Sequence, residues 1–179
     1  MDNMLGAVSY ILSSILQLYI FVVILRVILS VSGAKLFNPI NDFIVKITEP
    51  CLNLIRRVLP RVRSIDYSVI LLLFFLELVM VLIQVFFGWQ TFPDVGGWFL
   101  WAGLLGLINI CDILFYVIIL GAILSWIPMT HHSPLVEIIQ AISTPILRVF
   151  QRFIPAIAGI DLSPMAAIIF IKVIALYVL

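Results

Sequence analysis

"NPINDFIVKITEP", Asn38 to Pro50, is one amphipathic phrase bounded by prolines in a chain that is otherwise mostly aliphatic. Ninety-five residues later "SPLVEIIQAISTP", Ser133 to Pro145, restates it. Sliding the sequence by 95 positions aligns Gln17–Gln84 with Asp112–Leu179 without a gap, and 17 of the 68 pairs are identical. Two apolar segments match easily at Leu and Ile. They do not match easily at Pro39/Pro134, Pro50/Pro145, Arg57/Arg152, Pro60/Pro155 and Asp66/Asp161 in one register. The sequence therefore reads as an internal duplication, residues 1–95 followed by residues 96–179.

Each phrase opens as a helix start. Asn38 and Ser133 are side chains that accept a hydrogen bond from an orphan amide at an N-cap. Pro39 and Pro134 suit the first helical position, where a missing N–H costs nothing. Ile40, Phe43, Ile44 and Ile47, then Leu135, Ile138, Ile139 and Ile142, follow the i, i+3, i+4, i+7 spacing of a helix with one apolar stripe. Pro50 and Pro145 are expected to interrupt, because a proline removes a helical hydrogen bond and clashes with the preceding turn. A second short helix follows each, basic on one side through Arg56 and Arg57, then Arg148 and Arg152, and stopped by Pro60 and Pro155. The phrases thus predict interfacial helical hairpins, or bent helices, over 39–59 and 134–154. Their apolar faces rest on the inner leaflet and their arginines meet anionic headgroups, each worth on the order of 1 kcal/mol. A re-entrant placement between the spans is the alternative. Asp66 with Ser68, and Asp161 with Ser163, read as caps for the next helices, with Pro164 at the first position of the last.

The solvent follows from composition. Of 179 residues, 64% are hydrophobic and 11% charged, and the mean hydropathy is +1.29; soluble domains average about 25% charged. The net charge of +1 offers no bulk attraction for nucleic acid. Four stretches approach the ~20 apolar residues a transmembrane helix needs: within Met4–Ser32, about Tyr67–Phe87, about Trp98–Ile127, and Pro164–Leu179. The N-terminus, with Asp2 and a long apolar run, reads as a retained span rather than a signal peptide. Lys35, Lys46, Arg56, Arg57, Arg61 and Arg63 lie between the first two spans, and Arg148 and Arg152 between the last two. The opposite side carries only Asp2 and Asp94. The excess of positive charge puts both connecting segments in the cytoplasm and both termini outside. Trp89, Trp98 and Trp101 flank the short outer turn, and Trp126 marks the inner end of the third span, where aromatic rings prefer the headgroup level. Each unit holds two spans, so both enter the membrane the same way round. The expected fold is all-α, four spans in two parallel repeats related by a pseudo-two-fold axis along the membrane normal.

The pattern N-P-I…T-E-P…R-R…L-P…I-D, repeated as S-P…S-T-P…Q-R…I-P…I-D-L-S-P, resembles the YggT family of small bacterial integral membrane proteins, which includes the YlmG proteins and chloroplast relatives. The resemblance covers nearly the whole chain. It implies a bacterial inner-membrane location and a duplicated helical architecture. It also implies the associations known for relatives: osmotic tolerance and potassium uptake, cell division or nucleoid distribution, and cytochrome complex assembly in plastids. It brings no enzymatic activity, catalytic residue or cofactor. Gln151 departs from the pattern by standing where the first copy has Arg56.

Charged residues inside the spans are the candidate site. Arg26 sits about 9 Å from the inner end of its helix at 1.5 Å per residue, within reach of the headgroups by snorkelling. Asp112 matches Gln17 under the shift. Glu77 and Lys172 are also equivalent, each about 16 Å past its capping aspartate, at a depth where an isolated charge costs at least ~2.5–3.5 kcal/mol. An acid and a base at matching depth suggest a pair stapling the halves together. A competing version pairs Glu77 with Arg26 and leaves Lys172 for a partner subunit. A third reading makes them an ion or proton site. His131-His132 lacks companion metal ligands, Cys51 and Cys111 read as small apolar fillers, and no phosphate loop or nucleophile set is present. Two function classes remain: a membrane scaffold or assembly factor with lipid, a second copy or a membrane protein as partner, which the scarcity of polar residues along the spans favours, and, as the alternative, a component of an ion or solute pathway such as one for potassium.

Overall fold

The computed structural model of the chain describes residues 2–32, 38–57, 66–91, 94–126, 133–154 and 161–178. Its elements are six helices: α1 (Asp2–Ser32), α2 (Pro39–Ile55), α3 (Tyr67–Phe86), α4 (Val95–Trp126), α5 (Pro134–Gln151) and α6 (Ser163–Val178). The readings of His131-His132, Pro60, Pro155, Lys35, Arg61 and Arg63 fall outside the described residues.

Three helices have the length and apolar composition to cross a membrane: Met4–Ser32, Tyr67–Phe86 and Val95–Leu124. The 20 residues of α3 make about 30 Å of helix, the thickness of a bilayer's hydrocarbon core. Gly88 ends α3 at φ 73°, a left-handed conformation that glycine adopts without strain. The Gly88 and Trp89 amides donate back to the Val85 and Gln84 carbonyls, satisfying the last turn. The fourth apolar stretch forms only the 16 residues of α6, about 24 Å. It is an apolar helix shorter than the other three.

The expected breaks at the inner prolines do not occur. Pro50 lies inside α2 and Pro145 inside α5, and each helix runs through. A proline deprives only its own position of a bond, and packing on both flanks holds the rest. Ile44, Thr48 and Leu52 of α2, and Ile138, Ile139, Ile142 and Ser143 of α5, are buried. Each of these helices also keeps a second apolar edge in the open, Phe43 and Leu54 on α2, and Leu135 and Val149 on α5, with Phe153 just past the end of α5. One continuous helix replaces each predicted hairpin.

The packing has a regular part and an irregular part. α1 touches α2 and α3, and α2 touches α3; α4 touches α5 and α6, and α5 touches α6. Between these triplets α3 packs on α4, α1 on α4 and α5, and α2 on α5. A two-fold axis exchanging the triplets would turn α3·α4 into α6·α1, and α1·α5 into α4·α2. Neither contact exists among the described residues. The expected two-fold relation is therefore not obeyed: α6 lies at the edge, and α1 sits centrally. The main apolar core is built on Ile20, Val23, Ile24, Val27 and Ile28 of α1 with residues of α2, α3 and α5. A smaller cluster joins Ile118 of α4 to Ala167 and Ile171 of α6. Cys51 packs on the first and Cys111 on the second.

Candidate functional site

Two polar clusters interrupt this apolar packing. The first lies where α1 crosses α2. The Arg26 guanidinium donates to the Val45 carbonyl at 3.0 Å, to Thr48 Oγ1 at 2.5 Å and to Glu49 Oε2 at 2.7 Å. Arg26 does not snorkel; it is 8% exposed, and a buried guanidinium must find partners inside. Arg56 donates to the other Glu49 oxygen and to Asp66 Oδ2. Arg26, Glu49, Arg56 and Asp66 form a neutral chain that ties α1, α2 and the start of α3. Burial pushes the Glu49 carboxyl up, but hydrogen bonds and charge from Arg26 and Arg56 outweigh it and hold it below its usual range. Burial likewise lowers Arg56, and its bonds to Asp66 and Glu49 more than restore it. Arg56 is thus a structural clasp and not a free lipid contact, and the Asp66 side chain faces Arg56 instead of capping α3. Arg57, Arg148 and Arg152 are exposed.

The equivalent crossing of α4 and α5 has a different solution. Gly121 stands where Arg26 does, and a Cβ there would lie 2.9 Å from Ser143 Oγ. Gln151 Nε2 donates to Asp161 Oδ2 at 2.8 Å, in the place of Arg56 and Asp66. Asp161 Oδ1 also accepts from the Ser163 amide at 2.9 Å and from its hydroxyl, so this aspartate does cap its helix, with Pro164 next. These bonds, the Ser163 hydroxyl first, hold the Asp161 carboxyl below its usual range. Asn38 performs its predicted cap, accepting from the Ile40 amide at 2.9 Å, and its Nδ2 reaches across to the Pro134 carbonyl at 2.8 Å and Glu137 Oε2 at 3.0 Å. The two short helices therefore start against each other. Ser133 makes no side-chain cap bond.

The second cluster lies between α1, α3 and α4. Glu77, 1% exposed, accepts at Oε1 from Asn109 Nδ2 at 2.8 Å. Asn109 Oδ1 accepts from Gln17 Nε2 at 3.4 Å. Glu77 Oε2, Ser13 Oγ and Gln84 Oε1 are buried without hydrogen-bond partners. All of these groups line one cavity of about 460 Å³, together with Ser14 and Trp89. Glu77 therefore meets neither Lys172 nor Arg26. Lys172 Nζ pairs with Asp112 Oδ1 at 2.7 Å and lies 4.4 Å from the centre of the Phe115 ring. The predicted staple fails because α3 and α6 do not touch. Sequence reading missed Gln84, Asn109 and Ser13 as site residues. Their signal was spacing: Tyr10, Ser13, Ser14 and Gln17 sit at i, i+3, i+4 and i+7, and Glu77 and Gln84 at i and i+7, so each set shares one helix face.

These features define an all-helical protein, among the described residues, with three helices long and apolar enough to cross a membrane and with Arg26, Glu49, Arg56 and Glu77 held between helices. The chain belongs to the CCB3/YggT family, whose model matches residues 5–87 and 101–179. It is similar to the YggT protein of Escherichia coli (strain K12), 32% identical over 172 residues covering 95% of this chain and 88% of that one. A Vibrio alginolyticus protein from the proC 3' region is 34% identical over 160 residues, 89% of this chain and 86% of its own. The Pseudomonas aeruginosa protein PA0392 is 33% identical over 181 residues, 97% and 88% of the two chains. None of these names states an activity. No solved structure matches the chain at a significant level.

Proposed function

We propose that the chain is a non-enzymatic membrane component of an ion or solute pathway, and that the chamber around Glu77 holds one monovalent cation or a proton. The supporting observation is Glu77 Oε2, a carboxylate oxygen buried without a partner in a cavity whose other walls offer oxygen. A lone carboxylate in an apolar interior is unstable until something neutralises it. Asn109 supplies a hydrogen bond but no charge. One negative charge among neutral side-chain oxygens suits a single hard positive charge. Among the described residues no cluster of His, Cys, Asp and Glu suits a multivalent metal.

In this reading the chain carries four spans in two parallel copies of one unit, residues 1–95 and 96–179, in a bacterial inner membrane with its termini in the periplasm. The twofold match of the family and the same three contacts within each helix triplet support the duplication. The basic residues gathered between the spans support the orientation. A scaffold or assembly role is the second reading. It is favoured by exposed Arg57, Arg148 and Arg152 beside open apolar edges on α2 and α5. These would meet anionic lipid or a membrane protein, in a setting such as osmotic tolerance or cell division. Purified protein in liposomes separates the two. A pathway component passes potassium or protons, and Glu77→Gln abolishes the flux. Absence of flux, with lipid or partner capture lost on replacing the three arginines, would favour the scaffold.

A further inference from the structure

One open face on α6 and one on α1 have counterparts packed together inside the chain. α3 and α4 pack through Glu77 on Asn109 and through Phe74, which lies 3.9 Å from a Cβ built on Gly103 and stacks on Phe99 with ring centres 6.2 Å apart. The 95-residue shift carries Phe74 and Glu77 to Ile169 and Lys172 on α6. It carries Gly103 and Asn109 to Val8 and Ser14 on α1. All four counterparts are exposed, and α1 does not touch α6 within the chain. The large–small pair Phe74/Gly103 becomes the medium–medium pair Ile169/Val8, so side-chain bulk is kept while its sides change.

Lys172 decides what covers α6. Its equivalent, Glu77, is 1% exposed beneath α4. The Lys172 and Asp112 side chains, on two apolar helices, are 45% and 42% exposed, and the 95-residue shift sets Lys172 at the depth Glu77 takes in the proposed bilayer. An ion pair open to hydrocarbon at that depth is costly, and a lipid tail offers it no hydrogen bond. We propose that a second copy of this chain docks head to tail, its α1 covering α6 as α4 covers α3. The polar contacts then repeat as well. Asn109 bridges Gln17 and Glu77 inside the chain; the second copy's Ser14 takes that place over Asp112 and Lys172, its hydroxyl donating to its own Tyr10 carbonyl at 2.8 Å and free to accept from the ammonium. The missing two-fold between the triplets fits this geometry, since a head-to-tail step leaves one face open at each end until a ring closes. The inference rests on the duplication stated above.

The test is cross-linking in native membranes, in a background with Cys51 and Cys111 replaced by Ala. Chains carrying Ile169→Cys and differently tagged chains carrying Val8→Cys are co-expressed and treated with a short bismaleimide. A mixed cross-link is expected, with none from either variant alone, and Ile11→Trp in the Val8→Cys chain should return it to background. No mixed product, or an Ile169–Ile169 product, would overturn the docking. Phe74→Cys with Gly103→Cys in one chain is the internal counterpart. If that pair links while the mixed pair does not, the docking alone fails. If it does not link, the α3·α4 register and the mapping built on it fail.

Discussion

Arg26 on α1 and Glu49 on α2 meet at 2.7 Å, with Thr48 and the Val45 carbonyl taking the remaining guanidinium hydrogen bonds. At the equivalent crossing Gly121 lets α4 approach Ser143 directly. One crossing is closed by a salt bridge, the other by the absence of a side chain.

Removing one member of the ionic crossing leaves the other buried and unpaired, which costs more than the pair contributes. Glu49→Leu strands Arg26, and a loss of about 2–3 kcal/mol is expected, below the ~3–5 kcal/mol of fully buried pairs because Glu49's side chain is 34% exposed. Arg26→Leu leaves Glu49 with Arg56 and should cost less. The double variant should lose less than the sum of the two. Thermal unfolding in mild detergent measures all three, and strict additivity would show that the contact carries no coupling.

The same pair sets an acid limit. The Glu49 carboxyl lies below its ordinary 4.5 in the folded protein. A group with a depressed folded value contributes stability fully above its unfolded value and loses it as pH falls through the folded one. The melting temperature should therefore hold from neutral pH down to the ordinary carboxylate range and fall below it. Glu49→Gln should be less stable at neutral pH and flatter with acidification, after allowance for Asp161, which titrates in the same direction.

Gly121→Ala tests the other crossing. Its Cβ would meet Ser143 Oγ at 2.9 Å and Ser143 Cβ at 3.2 Å, so the hydroxyl must turn away from its bond to the Ile139 carbonyl or α4 and α5 must shift apart. A loss of about 1–3 kcal/mol is expected from such overpacking. Adding Ser143→Ala removes the nearer atom and should restore part of the loss. No destabilisation by Gly121→Ala would mean the helices are not this close.

Asn38 separates capping from bridging. Asn38→Ser keeps an N-cap acceptor while removing both bonds to α5; Asn38→Ala removes both functions. The difference between the two variants should be about 1 kcal/mol, the usual worth of an N-cap. Ser133→Ala should cost less, because the Ser133 side chain makes no cap bond.

The sequence disclosed what depends on local chemistry. Asn38-Pro39 and Ser133-Pro134 mark helix starts because cap and ring constraints act within two residues. Long aliphatic runs mark α1, α3 and α4 because length and hydropathy suffice. Pro50 and Pro145 misled because the local penalty of a proline is outweighed by packing on Ile44, Leu52, Ile139 and Ile142, which comes from distant helices. Partner choice failed for the same reason. Glu77 and Lys172 are equivalent by shift, yet which helix covers each depends on how the triplets dock. That docking does not follow the symmetry the duplication suggested. Gln17, Gln84 and Asn109 are unremarkable singly and form a chamber only when α1, α3 and α4 converge.

The most direct measurement is cation-dependent stability of the purified protein, wild type against Glu77→Gln. Binding to the folded state alone raises stability with ligand concentration, by about 2.7 kcal/mol at a hundredfold excess over Kd. Potassium titrated at constant ionic strength, or protons titrated above the range where Glu49 responds, should raise the melting temperature of the wild type and leave Glu77→Gln unmoved. Equal responses from the two proteins to both titrants would contradict a cation or proton seat at Glu77.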